Sequence, residues 1–280
     1  MSGTWQAPRR PSRSWLQVFF LGFLLFVLTV VVMALTSNSN LYPTVIVIGN
    51  FLIPVVFVAF LYDHQHITSL SPEQIAKSFC LGGVLGVLGA SILEALLLPP
   101  QTSPDQELSF RSGLLIGLIE EGCKILAVIF IARKMRHDSP IDGLLLGAAV
   151  GMGFAALEST GYAFNAFIYS HGRFSASIVE TILRGLIAPF GHGTWTAILS
   201  AVLFHESAPH RFRITIPVIL VFAFVVVLHG AWDGLPHSLY FVVPPGFPIS
   251  VATLIISILG IGALVVVYKH AGKERLPEQK

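Results

Sequence analysis

Charge is the scarcest commodity in this 280-residue chain: Asp, Glu, Lys and Arg make up 11% of it. Soluble domains carry roughly 25%, so these few charges do not cover a water-facing globule. Cysteine is nearly absent as well. Cys80 and Cys123 both fall in apolar runs, which excludes a disulfide framework and a thiolate zinc site. No basic, aromatic-interleaved stretch is present, so a nucleic-acid partner is not expected. No long polar segment separates the apolar runs and no internal repeat is visible, which excludes a soluble second domain and a repeat architecture. The first apolar run follows Arg9, Arg10 and Arg13, yet no small-x-small cleavage site comes after it, so it reads as an uncleaved span rather than a signal peptide.

What is present is hydrophobic length, with 54% of residues apolar. A helix crosses a bilayer core with about 20 apolar residues. Eight segments qualify, at 16–35, 44–61, 77–98, 113–132, 142–164, 186–204, 214–234 and 249–268. The expected fold is therefore an all-α, polytopic membrane helical bundle occupying 16–268 in the cell membrane, with polar tails at 1–15 and 269–280. An even number of spans puts both tails on one side. With that side cytoplasmic, it holds Arg9, Arg10, Arg13, Lys77, Arg133, Lys134, Arg136, Arg211, Arg213, Lys269, Lys273, Arg275 and Lys280, against only Arg111, Arg173 and Arg184 outside. Cytoplasmic loops are enriched in Lys and Arg, so both termini are expected inside.

Ionisable side chains within the spans are the functional signal, because a charge at the bilayer centre costs at least about 2.5 kcal/mol. The fourth span carries Glu120, Glu121 and Lys124, the fifth Glu158, the sixth His192, and the seventh His229 and Asp233. At about 1.5 Å per residue, Glu120, Glu158, His192 and His229 lie roughly 8–10 Å below the outer ends of their spans. Four helices thus place ionisable groups at one level. Lys124 stands three and four residues from the glutamates and can pair with either. Asp233 stands four residues from His229 and can orient its ring. Gly143, Gly147 and Gly151 form a small-residue row of the kind that lets helices approach closely. Glu94, near the outer end of the third span, is expected to reach the interface. The same residues fit a buried ion-pair network, or a proton- or ion-coupled transporter in which carboxylates and histidines relay protons. A transporter should show matching repeat halves with broken helices.

The ordered set E-E-G-C-K (Glu120–Lys124), D-G-L-L-L-G-A-A-V-G-M-G-F-A-A-L-E (Asp142–Glu158), an isolated His192, and H-G-A-W-D (His229–Asp233) resembles the PrsW intramembrane proteases, relatives of the CAAX-prenyl endopeptidases and bacteriocin-processing membrane proteases. The core motifs span 113–234. Two positions depart from the family pattern: Ser159 follows Glu158 where relatives often have Asn, and Asp233 stands where Asn is common. The resemblance implies an endopeptidase that cuts membrane-anchored proteins, with anti-sigma factors as one substrate class, in or near the outer half of the bilayer. It implies a catalytic set of Glu120, Glu121, Glu158, His192, His229 and Asp233. Two mechanisms fit that set. In one, His192, His229 and Glu158 hold Zn²⁺ and a glutamate, Glu120 by analogy with the related motif, is the base. In the other, a glutamate and a histidine activate water without metal.

Overall fold

Serines and prolines set the helix starts. Ser71 caps with its hydroxyl on the Gln74 amide while the Gln74 side chain returns to the Ser71 amide, a capping box with Pro72 at the first helical position. Ser109 accepts from the Ser112 amide at 3.1 Å, and Ser139 accepts from the Asp142 amide at 3.3 Å ahead of Pro140. Asp142 in turn accepts from the Thr68 hydroxyl at 2.6 Å, the Ser69 amide at 3.0 Å and the Ser69 hydroxyl. This fastens the link after the second helix to the start of the fifth.

A computed structural model describes residues 13–64, 67–99, 108–137, 139–235, 239–243 and 247–274. Most of the two expected polar tails, 1–12 and 275–280, lies outside the described residues. Among the described residues there are eight long helices: α1 Ser14–Thr36, α2 Tyr42–Asp63, α3 Pro72–Leu97, α4 Phe110–Ala132, α5 Pro140–Tyr169, α6 Phe174–Glu206, α7 Ile216–Gly234 and α8 Val251–Glu274. Seven are long and apolar enough to cross a membrane; α4 is of similar length and carries Glu120, Glu121 and Lys124. The chain is an all-α polytopic bundle.

The spans expected at 113–132, 142–164 and 186–204 prove longer. Their helices begin or end at Phe110, Tyr169 and Phe174 on the side where the ionisable groups lie. The link expected between 234 and 249 also contains structure. Tyr240–Val243 (β1) pairs antiparallel with Phe247–Ser250 (β2), Tyr240 opposite Ser250. Four-residue strands fall below what hydropathy over a span-length window can resolve.

The core lies around α5 and α6, whose apolar windows are 83% and 78% buried, whereas those of α1 and α8 are 11% and 17%. The lipid-facing helices keep Leu, Val, Ile and Phe on their outer faces, as a bilayer solvent allows. The closest pairs are α5 with α6 and α4 with α7. Glycine makes both possible. A Cβ on Gly151 would run into the carbonyl of His192, and one on Gly113 would lie 2.5 Å from the Gly230 carbonyl oxygen. The glycine row read from the sequence is thus the surface that seats α6 on α5, with Gly151 under His192 and Gly147 and Gly143 under Thr196, Ser200 and Phe204.

Candidate active site

Two helix-pair contacts bring the ionisable residues together. On α6, Pro189 lacks an amide hydrogen, and the helix widens into a π turn over Pro189–Gly193. His192 sits in that turn, 3% exposed, with its backbone against Gly151. On α7, Gly230 lets the helix approach α4, and His229 lies beside Gly117, one turn before Glu120 and Glu121.

Glu121 is fully buried and saturated. It accepts from Lys124 Nζ at 2.7 Å and His229 Nδ1 at 2.9 Å through Oε1, and from the Thr196 hydroxyl at 3.4 Å through Oε2. A carboxylate accepting at Nδ1 places a proton on that nitrogen and turns Nε2 toward the rest of the cluster. Nε2 faces Glu120 Oε2 at 3.5 Å and Asp233 Oδ2 at 3.3 Å. Asp233 lies against the distal ring nitrogen, as the four-residue spacing suggested, and Glu121 holds the other nitrogen of the same ring. Four-residue spacing along α7 made Asp233 the visible candidate; the contact from α4 is tertiary.

Lys124 is also fully buried. Its ammonium donates to His192 Nδ1 at 2.8 Å and lies 3.3 Å from Glu120 Oε2, over the Phe154 ring at 4.1 Å. An ammonium has no lone pair to offer, so His192 Nδ1 accepts and Nε2 carries the proton. Nε2 points at Glu158 Oε2, 3.1 Å away. Glu158 Oε2 also receives Arg184 Nη2 at 2.7 Å, and Arg184 stacks over Tyr162 at 3.8 Å. Trp195, fully buried, floors the cluster with ring centroids 4.8 Å from His229 and 5.5 Å from His192.

Glu120 is the exception in this network. Its Oε2 is buried, surrounded by Lys124 Nζ, His229 Nε2 and His192 Nδ1 at 3.3, 3.5 and 3.8 Å, and makes no hydrogen bond with proper geometry. Glu120 and Glu158 both line a cavity of about 310 Å³ between α3, α4 and α5, whose wall also includes Glu94, Gly161 and Tyr162. Glu94 does not simply reach an interface as the sequence suggested; its Oε1 is buried in that wall.

A sequence model of the family described as PrsW family intramembrane metalloprotease matches residues 71–266. The chain belongs to the PrsW family. A curated relative, Protease PrsW of Clostridioides difficile (strain 630), is 28% identical over 171 residues, covering 56% of this chain and 69% of the relative. No solved structure matches. PrsW membership makes this chain a multi-pass membrane protease acting on protein, and it favours proteolysis over the transporter reading of the same carboxylates.

The metal implied by this PrsW family description can be tested against the donors present. Glu120, His192 and His229 each offer one ligand atom, all within 4.8 Å of one another and all buried. With bonds of about 2.0–2.2 Å, neighbouring ligands of a tetrahedral zinc stand about 3.3–3.6 Å apart. The Glu120–His229 and Glu120–His192 separations of 3.5 and 3.8 Å are close to that. Glu121 and Glu158 hold the far nitrogens of the two rings, as carboxylates behind ligand histidines do. The three donors can hold a divalent cation once the Lys124 ammonium, which donates to His192 Nδ1 at 2.8 Å, moves off that nitrogen. The triplet within ligand distance of one another contains Glu120, whereas Glu158, the carboxylate ligand suggested by the sequence, lies against Arg184 and His192 Nε2. Arg184, Thr196, Trp195 and Glu94 were not placed in the site from sequence. Of these only Arg184 gave a signal, as a cation close to the level of His192.

Proposed function

We propose that this PrsW-family protein hydrolyses peptide bonds of membrane-anchored proteins at a centre formed by Glu120, His192 and His229, with zinc as the metal those three would hold. The observation that carries the reading is the Glu120 carboxylate. It is buried, its Oε2 has no hydrogen bond, and it faces both imidazoles on one side and a cavity on the other. A zinc ion held by these three residues would polarise a peptide carbonyl and acidify a water.

The chain's own residues supply the rest. Glu121 keeps His229 in the tautomer that presents Nε2. Glu158 shares the cavity wall with Glu120, takes the water's proton, and returns it to the leaving amine. Arg184 and His192 hold Glu158 in place for both transfers. Trp195 and Phe154 exclude bulk water, which strengthens every charge interaction among these groups. The substrate backbone must enter unwound, because a helical amide in lipid already has its partners. With the termini cytoplasmic, as the Lys and Arg distribution favours, the centre lies toward the outer half of the bilayer, and anchored regulators of the anti-sigma type are suitable substrates.

A second reading has one observation in its favour. Lys124 Nζ already bridges Glu120, Glu121 and His192, a charge balance that needs no metal, and Glu120 then acts as the base directly. The test is reconstitution with a single-span substrate, comparing wild type with Glu120→Gln, His192→Ala, His229→Ala and Glu158→Gln, with and without chelator. Cleavage is expected to disappear in all four variants and in chelator. Full activity in chelator sinks the zinc assignment, and cleavage independent of Glu120 sinks the centre.

A further inference from the structure

The β1–β2 hairpin has one closed edge and one open edge. Just beyond the strands, the Val251 amide donates to the Leu239 carbonyl at 3.0 Å. Hydrogen-bonded and non-hydrogen-bonded pairs alternate along an antiparallel ladder. Tyr240–Ser250 and Val242–Pro248 are therefore the non-hydrogen-bonded pairs, whose amides and carbonyls turn outward. On β2 that outer edge contains Pro248, which has no amide hydrogen and blocks a continued ladder. On β1 the outer edge presents the amide and carbonyl of Tyr240 and of Val242, at the two-residue spacing that a neighbouring strand matches. Among the described residues none of these four groups has a backbone partner. Tyr240 and Val242 are 56% and 57% exposed, and Leu239, Phe241 and Val243 beside them are exposed as well. An apolar strand edge left open is a liability that proteins ordinarily cover or charge, and two strands alone are marginal where three are stable. The hairpin also borders the candidate centre. Tyr240, Ile249 and Ser250 share a cavity of about 340 Å³ with Glu180, Arg184 and Trp232. Arg184 is the residue that holds Glu158, and Trp232 packs edge-on against Trp195 at 5.6 Å.

We propose that β1 is the docking strand for the substrate: the unwound segment of a membrane-anchored protein adds to the open edge at Tyr240 and Val242 as a third, extended strand. The inference rests on the hydrolytic reading of Glu120, His192 and His229. Unwinding a helix in lipid frees amides and carbonyls that must find new partners. The outer edge of β1 offers two donors and two acceptors for them, with apolar side chains on either side. Affinity in strand addition comes from the main chain, so recognition at this edge tolerates varied substrate sequences. Pro248 on β2 leaves β1 as the edge that is free to pair.

The experiment uses reconstituted full-length protein and synthetic single-span substrates in which one backbone amide at a time, the scissile one excepted, is N-methylated. The methyl group removes one donor and leaves every side chain in place. Wild type is expected to lose about 2-fold to 10-fold in kcat/KM at two residues separated by one, the effect of one hydrogen bond each, with the residue between them little changed. Loosening of the substrate helix by the methyl group does not alternate in this way. Val242→Pro removes an outward amide without touching a β1–β2 bond. It should cleave the unmodified substrate about 2-fold to 10-fold less efficiently than Val242→Ala, which keeps the amide. The methylation scan uses the unaltered protein, so it stands even where Val242→Pro disturbs the hairpin. The proposal is overturned by a scan without alternation, or by Val242→Pro cleaving as well as Val242→Ala. A Val242→Pro protein that cleaves as well but no longer cross-links to a second copy also overturns it, and assigns the edge to self-association. Those results leave Glu120-dependent cleavage standing. Cleavage that survives Glu120→Gln, or a wild type that cuts nothing, overturns the hydrolytic reading and this one with it.

Discussion

Replacing Lys124 by Met tests the electrostatics of the centre in isolation. The ammonium is 0% exposed and lies 2.7 Å from Glu121, 2.8 Å from His192 Nδ1, 3.3 Å from Glu120 and 4.1 Å from the Phe154 ring centre. Methionine fills nearly the same volume, so packing changes little. What changes is the pairing, since two buried carboxylates lose their shared cation. Breaking a buried ion pair by removing one partner costs about 3–5 kcal/mol. Removing Glu121 charge as well, in Lys124→Met/Glu121→Gln, eliminates the group most tightly paired to the lysine. The two substitutions should then couple favourably by about 1–3 kcal/mol, the range for residues in one network. The assay is the unfolding free energy in mixed micelles with chelator present, followed by tryptophan fluorescence, for wild type, both single variants and the double. A Lys124→Met loss below about 1 kcal/mol, or strict additivity in the double variant, would refute the claim that this ion cluster is buried and tightly coupled.

Three further outcomes follow from named contacts. Glu121→Gln removes the negative charge from the acceptor that orients His229, and zinc affinity measured by competition with a chelating dye should fall about 10–100-fold. Gly151→Ala drives a methyl group into the His192 carbonyl; it should cost about 1–3 kcal/mol of stability and lower cleavage through displacement of His192, read by thermal unfolding and turnover of one preparation. Gly161 lines the cavity with nothing within 4 Å of a built Cβ, so Gly161→Trp should block substrate and abolish cleavage while the unfolding midpoint stays at the wild-type value.

Much of this arrangement was legible in the sequence because a bilayer leaves few options. Apolar length marked all eight helices, and the cost of buried charge singled out Glu120, Glu121, Glu158, His192 and His229, which the fold does bring together. Glycine spacing on α5 correctly indicated a close helix contact, though not that its partner is α6 or that Gly151 meets the turn carrying His192. The details that escaped are those set by tertiary contact. Asp233 was the visible partner of His229 because it is one turn away, and it does lie 3.3 Å from Nε2, but the second partner, Glu121 on a neighbouring helix at Nδ1, left no such signal. Glu158 looked like a ligand because it shares the level, yet Arg184 reaches it from α6. Glu94 looked like a residue escaping to the interface because it is near a helix end, and only the convergence of α3 with α4 and α5 shows its oxygen buried in the cavity. The β1–β2 hairpin was invisible because four-residue strands leave no imprint at the scale of a span.

The central claim is that Glu120 belongs to the centre itself and Glu158 serves it from the cavity. Bound metal in purified wild type, Glu120→Gln and Glu158→Gln, measured by mass spectrometry of the metal content alongside turnover, tests it most directly. The account predicts one zinc per chain in wild type, loss of the metal in Glu120→Gln, and retained metal in Glu158→Gln with turnover reduced about 10²–10⁴-fold. An active wild type without metal, or a Glu158→Gln protein that loses zinc while Glu120→Gln keeps it, would contradict the account.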